Sequence, residues 1–405
     1  MSPSLREFVE GRLAGLDIED PQFAVEAVAW LLAAGRSCGA SDLHLQPTAA
    51  GLEMLFRIDG VLQLAGTFPA KVAANIIARL KVLADLLTYR SDVPQEGRIR
   101  QAQSDIEMRV STFPTLYGER TVVRFFAGGK RYERLEDLGF PLDVLEPLRR
   151  LLGETSGAIL VTGPAGSGKT TTVYACMREL AGSADERRSL VSLEDPIEVA
   201  VPGVAQAQVN PAVGFDLATG LRFLMRQDPE VIMVGEIRDR ATAEAAFQAS
   251  LTGHLLLSTF HAGSAAEAIS RLSDLGIEPY LLRSGVLAIL SQRLVRRLCR
   301  CARRTGDPES RLGLPVEEVC VPAGCELCGG TGYAGRFVLV EMLTAQRTEL
   351  GRAILSRSDT DTLERLAVQS GMTSRWERAY EALRAGITSP QEVRRVLGFS
   401  DRPGR

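Results

Sequence analysis

The stretch that most constrains the fold of this chain is Gly163-Pro164-Ala165-Gly166-Ser167-Gly168-Lys169-Thr170. It holds two glycines with four residues between them, followed by Lys and Thr. Before it, Ala158-Ile159-Leu160-Val161-Thr162 is an apolar run that reads as a buried strand. After it, Thr171 to Leu180 lacks Gly and Pro and spaces its apolar residues as a helix does. Strand, glycine loop and helix form the setting in which backbone amides turn inward on a phosphate. In that reading Lys169 reaches the outer phosphates, and Thr170, with Thr171 behind it, opens the helix and holds Mg²⁺. The competing reading, a glycine-rich turn that matches by chance, does not account for both flanks.

Residues 136–290 continue with alternating strands and helices. Leu190-Val191-Ser192-Leu193 ends in Glu194-Asp195-Pro196-Ile197-Glu198, a carboxylate cluster suited to Mg²⁺ or to orienting water. Val231-Ile232-Met233-Val234 ends at Gly235-Glu236, one acid after four apolar residues, the Walker B arrangement. Leu255-Leu256-Leu257 lies between His254 and His261, two of the three histidines in the chain. His254 is expected to sense the γ-phosphate, and His261 to act there or only to orient a loop. Arg226, before Asp228-Pro229-Glu230, is expected either to line this pocket or to form a structural ion pair.

Residues 20–126 read as an α+β domain. A helix begins after Asp20-Pro21, and Asp42–Gln46 alternates polar and apolar residues. Leu52–Ile58 leads into the hairpin signal Asp59-Gly60. Three later strand-like runs carry Arg98, Arg100, Arg109, Arg120 and Arg124, read either as solvated strand faces or as groups reaching a nucleotide held by a neighbouring domain or subunit. Residues 1–19 read as an N-terminal amphipathic helix on Leu5, Phe8, Val9, Leu13 and Leu16, packed on its own domain or docked to a partner. Residues 127–135, with Gly128-Gly129-Lys130, read as a linker.

The segment 291–336 changes character. Arg293, Arg296, Arg297, Arg300, Arg303 and Arg304 crowd around Cys299 and Cys301, and Cys325-Glu326-Leu327-Cys328 follows. A Cys-x-x-Cys turn lets both thiolates face one tetrahedral Zn²⁺, whereas the Cys-x-Cys pair is a poorer chelate and Cys320 is a substitute ligand. Reduced cysteines without metal are the alternative. The arginines read as a solvated helix end, as offsets to thiolate charge, or as a surface for anionic lipid. Residues 337–405 read mainly as helices, at 349–355, 361–369, 374–384 and 391–397.

With 45% hydrophobic residues, 24% charged residues and a formal net charge of −3, the chain is ordinary for a globular protein and offers no electrostatic reason to bind nucleic acid. No apolar run is long enough for a signal peptide or a membrane span, so a cytoplasmic location with peripheral membrane contact through partners is expected.

Taken together, these residues resemble the GspE/PulE/PilB family of secretion ATPases, which power type II secretion and assembly of type IV pili. The resemblance rests on Ala40–His44, Pro94–Arg109, Phe113-Pro114 with Gly118–Arg120, the phosphate loop, Glu194–Glu198, Arg226–Arg238, Thr252–His261 and Cys325–Arg336. It implies an α/β chain: a RecA-like P-loop NTPase domain preceded by an α+β PAS-like domain, with a small cysteine-containing insert and a helical C-terminal region. It further implies a homohexamer that hydrolyses ATP with Mg²⁺ between the two domains and works with inner-membrane secretion or pilus platform proteins. By motif, Arg98 and Arg109 approach the phosphates, and Glu194 positions or deprotonates the attacking water. Glu236 assists Mg²⁺, His254 and His261 form a histidine box, and Cys299, Cys301, Cys325 and Cys328 bind zinc. The chain is expected to be a short form without the extra N-terminal docking domain of long members. Two alternatives stay open: a pilus retraction ATPase, against which the cysteine segment argues, and a non-hydrolysing scaffold, against which Glu194, Glu236 and His254 argue.

Overall fold

The structure, a computed structural model, describes residues 17–100, 107–125, 132–182, 187–345 and 348–399, together with Gly11 and Gly15. The apolar positions of the expected N-terminal helix and the Gly128-Gly129-Lys130 joint lie outside the described residues. The chain divides into two compact units. One comprises Met1–Gly128, Leu298–Arg303 and Pro322–Gly335, and the other Gly129–Arg297, Arg304–Val321 and Arg336–Arg405.

In the first unit, six strands form one sheet: β1 (Asp42–Thr48), β2 (Gly51–Ile58), β3 (Val61–Phe68), β4 (Gln95–Arg100), β5 (Glu107–Thr115) and β6 (Gly118–Phe125), in the order β3-β2-β1-β6-β5-β4. Every neighbouring pair is antiparallel. The β2–β3 turn is Asp59-Gly60, with φ of 49° and 81°. Two successive positive φ values match the twist of a tight hairpin, and Asp and Gly tolerate them best. Leu43, Leu45, Met54, Phe56, Val110 and Val123 form a core with the helices Phe23–Ser37 and Ala70–Leu83.

A row of charge crosses this sheet: Arg98 pairs in register with Arg109, Arg109 with Arg124, Arg124 with Asp42, and Asp42 with Arg57. Residues directly opposite share a face, so like charges there repel unless neutralised. Glu96 pairs with Arg109, while Asp42 lies 3.0 Å from Arg124 and 3.4 Å from Arg57.

The second unit is built on seven strands: β7 (Gly157–Thr162), β8 (Leu190–Glu194), β9 (Ala205–Gln208), β10 (Val231–Ile237), β11 (Leu255–Phe260), β12 (Val286–Leu298) and a last strand that closes the sheet beside β12. Two short strands, β13 (Arg303–Thr305) and β14 (Val319–Val321), pair with each other before that last strand, β15 (Tyr333–Thr344). The order is β15-β12-β7-β11-β10-β8-β9, and the pairings from β12 through β9 are parallel. Strands β7, β8 and β11 are buried along their whole length, which is why they read as unbroken apolar runs. Helices at Thr348–Leu355, Thr360–Gln369, Arg375–Arg384 and Pro390–Leu397 follow, close to the expected spans.

Two expectations are corrected here. The arginines from Arg293 to Arg297 lie on strand β12 rather than at a helix end, because buried Val295 and Leu298 anchor that run in the sheet and its terminal core. The chain beyond Gly335 also continues as strand to Thr344 before the helices begin.

Glu392 joins the last helix to β12. It is fully buried, accepts three hydrogen bonds from Arg296 at 2.7–3.0 Å, and pairs with Arg395. Burial raises its carboxyl pKa, but bonds from Arg395 and Arg296 outweigh that and leave it below the ordinary value. Its stabilisation is therefore full above the unfolded carboxyl value of about 4.3 and is lost as the pH falls through the lower folded value. We predict that Glu392→Gln lowers stability by roughly 3–5 kcal/mol at pH 7. Thermal melts of parent and variant should converge in acid; a gap that persists at low pH would contradict this account.

Candidate active site

The phosphate loop leaves the C-terminal end of β7 and enters the helix Lys169–Ala181. Gly168, with φ 92°, precedes the helix, so the loop amides and the helix N-terminus face the same small volume. Gly163 has φ 146°, and a Cβ there would lie 2.5 Å from both the Gln292 carbonyl and Ser167 Oγ. Only glycine fits that cradle between the loop and β12. Ser167 Oγ is buried and has no hydrogen-bond partner among the described residues, as a group awaiting an acceptor would be. Lys169 is 8% exposed, and its ammonium donates to Gly163 O at 2.9 Å and Pro164 O at 3.0 Å. Burial lowers its pKa, the Glu236 carboxylate opposes that, and Arg293 adds to the lowering. Thr170 is exposed in the first helical turn, with Thr171 half-buried beside it, while Pro164, Ala165 and Gly166 form the exposed rim. The donor set of loop amides, ammonium and hydroxyl fits a polyphosphate with its magnesium ion.

Glu236 lies at a register shift in β10 between Val234 and Ile237. Ser258 and Thr259 hold this irregularity by donating to Val234 O and Gly235 O, each at 2.8 Å. Such a bulge re-aims a side chain near a site. Glu236 Oε1 lies 2.8 Å from His261 Nε2, and Glu236 Oε2 accepts from Arg238 at 2.8 Å. Arg238 also approaches Asp195 at 3.6 Å. Glu236, Arg238, Phe260, His261, Arg271 and Asp274 line a groove of about 450 Å³. The ends of β8, β10 and β11 thus gather two carboxylates, an arginine and a histidine.

Glu194, at the end of β8, is 2% exposed. It accepts from Tyr174 Oη, from Ser192 Oγ at 2.6 Å and from Gln206 Nε2 at 2.9 Å, which fills most of a carboxylate's acceptor capacity.

His254 requires a correction. It precedes β11 at the end where Leu255 pairs with Gly157, whereas the loop begins past Thr162, opposite Phe260. At about 3.3 Å per residue the two ends of that strand lie roughly 17 Å apart. His254 instead bonds Ala249 O at 3.0 Å, a local contact at the opposite edge of the sheet. His261 follows the other end of β11, beside the loop, and lies against Glu236. For the ATP hydrolysis that the resemblance implies, we predict that the loss in turnover on His261→Ala exceeds that on His254→Ala by at least about tenfold, as a group in the site should. Equal losses would restore His254.

Arg226 donates to Arg222 O at 3.0 Å and lies over Phe223, contacts local to its own helix. Arg98 and Arg109 lie side by side in the six-stranded sheet of the first unit. Three residues were missed in the sequence. Tyr174 is not singled out there, and Arg238 enters only as the end of the stretch Arg226–Arg238 that carries the resemblance. Arg293, counted with the arginines near the cysteines, instead donates to Gln292 O at 3.1 Å and Gly263 O at 2.8 Å.

A family model described as Type II/IV secretion system protein matches residues 19–395. The chain belongs to that family.

This type II/IV secretion system protein is 39% identical over 366 residues to the type IV pilus assembly ATPase PilB of Thermus thermophilus, covering 87% of this chain and 41% of that one. It is 41% identical over 389 residues to the type II secretion system protein E of Klebsiella pneumoniae, covering 94% of this chain and 77% of the relative. The chain thus spans less than half the length of the T. thermophilus relative. Among solved structures, the Legionella pneumophila ATPase DotB shares the fold, with a TM-score of 0.68 at 21% identity over 92% of this chain and 96% of that chain.

The secretion-family chain also carries a second side-chain cluster, in the first unit. The Sγ atoms of Cys299, Cys301, Cys325 and Cys328 lie within 4.8 Å of one another. Contacts of 3.8 Å (299–325), 3.9 Å (301–328) and 3.7 Å (325–328) match the edge of roughly 3.8 Å in a tetrahedron of thiolates around zinc. Cys-x-Cys therefore contributes both sulfurs, and Cys320 stands outside the group. Burial raises the Cys328 thiol, but N–H donors from Cys325 and Gly332, each at 3.1 Å, outweigh it and bring the pKa to about 6. Backbone N–H donors of this kind orient a thiolate and favour its charged form.

Proposed function

We propose that this chain is an ATP-hydrolysing motor of type II protein secretion or type IV pilus assembly, a reading supported by its likeness to the type IV pilus assembly ATPase PilB of Thermus thermophilus and the type II secretion system protein E of Klebsiella pneumoniae. One observation carries the reading: the phosphate cradle and the Glu236–His261 pair open at the same C-terminal edge of one parallel sheet. Lys169 and the loop amides bind the phosphates. Thr170 and Glu236 would hold Mg²⁺, which when bound would supply charge neutralisation at the transferring phosphoryl group. Glu194 and Glu236 orient the attacking water, and His261 fixes the Glu236 carboxylate. The seven-stranded unit serves as a RecA-like engine and the six-stranded unit as its PAS-like partner, with the cysteine segment holding Zn²⁺ on Cys299, Cys301, Cys325 and Cys328. In a homohexamer, Arg98 and Arg109 stabilise charge at a nucleotide, with Glu96 paired to Arg109. The machine works at the inner face of the cytoplasmic membrane through platform proteins; among the described residues no helix is long and apolar enough to cross a membrane.

The test is phosphate release from ATP with Mg²⁺ across a protein concentration series. Turnover per chain should rise as the ring assembles. Bound ATP without phosphate release would leave only a scaffold, and a flat profile in a monomeric preparation would remove the arginines from the mechanism.

A further inference from the structure

Tyr174 lies on the helix that carries Lys169 and is 4% exposed. Its phenol oxygen joins three chain segments at one point. It donates to Glu194 Oε2, and it accepts the backbone N–H of Glu198 at 3.1 Å and of Val199 at 3.4 Å. Gln206 completes the lock from β9, donating to Glu194 Oε1 at 2.9 Å and Val199 O at 3.1 Å and accepting Val201 N–H at 2.6 Å. Packing alone would be served by phenylalanine in such a buried place; the hydroxyl matters only for what it holds. Burial, and then the Glu194 carboxylate, raise the Tyr174 pKa far above its ordinary value, so the phenol stays a donor at any working pH.

We propose that Tyr174 is a positioning residue for ATP hydrolysis, locking Glu194 and the loop that carries Asp195 and Glu198 to the helix that carries Lys169. The proposal rests on the ATPase reading above. Phosphates are held by one element of this pair and carboxylates by the other, so the hydroxyl sets the distance between them. Small misplacements of this kind cost rate rather than binding: about 1 Å is enough for a roughly hundredfold loss.

Tyr174→Phe in the full chain is the decisive variant, read by phosphate release and by calorimetric titration with Mg²⁺ and ATP. The expected result is a kcat about 10–100-fold below the parent with KM and ATP affinity within about threefold, the signature of an interaction that matters in the transition state. A kcat equal to the parent's, or a loss of ATP affinity at unchanged kcat, overturns the proposal. Hydrogen exchange of the parent supplies a reading that needs no variant. The Glu198 and Val199 amides should be protected at least about tenfold relative to an unstructured chain, as amides in a closed hydrogen bond are. Exchange at the unstructured rate overturns the lock even if the variant fails to fold. A parent that binds ATP and releases no phosphate sinks the ATPase reading instead, and the exchange measurement still judges the lock.

Discussion

On the proposed function, Lys169→Ala removes ATP turnover, with a fall in phosphate release of at least about a thousandfold. The expectation follows from where the ammonium sits. It is buried at the mouth of the loop, bonded to carbonyls of Gly163 and Pro164, with the Glu236 carboxylate near enough to oppose the lowering of its pKa. A preorganised positive charge in a site shielded from water acts on developing phosphoryl charge far more strongly than in solvent, and a single such donor is commonly worth roughly 10²–10³ in rate. Loss of nucleotide affinity adds to that in any assay at fixed ATP. Alanine keeps the helix, so circular dichroism and melting behaviour should stay near those of the parent. A folded variant that turns over ATP at the parent's rate would mean that the phosphates bind elsewhere.

The second large effect concerns the four cysteines. Purified without chelator, the protein should carry one zinc per chain, and Cys325→Ser or Cys328→Ser should carry almost none. Sulfur contacts of 3.7–3.9 Å have the dimensions of a closed tetrahedral site, and two backbone N–H groups already point at Cys328 Sγ. Structural zinc binding is worth about 10–16 kcal/mol in small sites, much of it folding free energy. Both serine variants should therefore lose a cooperative thermal transition or melt well below the parent, and a strong chelator should do the same to the parent. Elemental analysis decides the matter. A metal-free parent with four readily titrated thiols and an unchanged melt would identify these residues as ordinary reduced cysteines.

The chemistry of the phosphate site was legible because it is local. A glycine loop between a buried strand and a helix, and acids at strand ends, are set by residues close in sequence, so Lys169, Thr170 and Glu236 stand out by spacing, while Glu194 is singled out from its carboxylate cluster only by the family resemblance. The histidines were not equally legible. His254 and His261 bracket the same strand, and sequence treats its two ends alike, yet parallel pairing with β7 sends one end to the loop and the other away from it. The arginine run misled for a similar reason. Arg293 and Arg296 stand close together in sequence, but one donates to Gly263 O in the segment after β11 and the other to Glu392, through a strand whose partners lie far along the chain.

Cysteine spacing pointed to a metal, but a gap of one residue argued against Cys299 and Cys301 as a pair of ligands. In the structure the two sulfurs contact different members of the later pair, Cys299 with Cys325 and Cys301 with Cys328, so the short gap does not have to chelate on its own. Tyr174 left no sequence signal at all, since an aromatic residue on a helix reads as core until the hydroxyl's partners are seen.

The linear chain by itself determined the kind of chemistry, the alternation of strand and helix, and the family, because periodicity and short motifs are properties of neighbouring residues. Only the tertiary structure decided which end of a strand faces the phosphates, which arginine serves which carboxylate, and how four thiols meet. Those outcomes depend on strand order and direction, and no single stretch of sequence carries either.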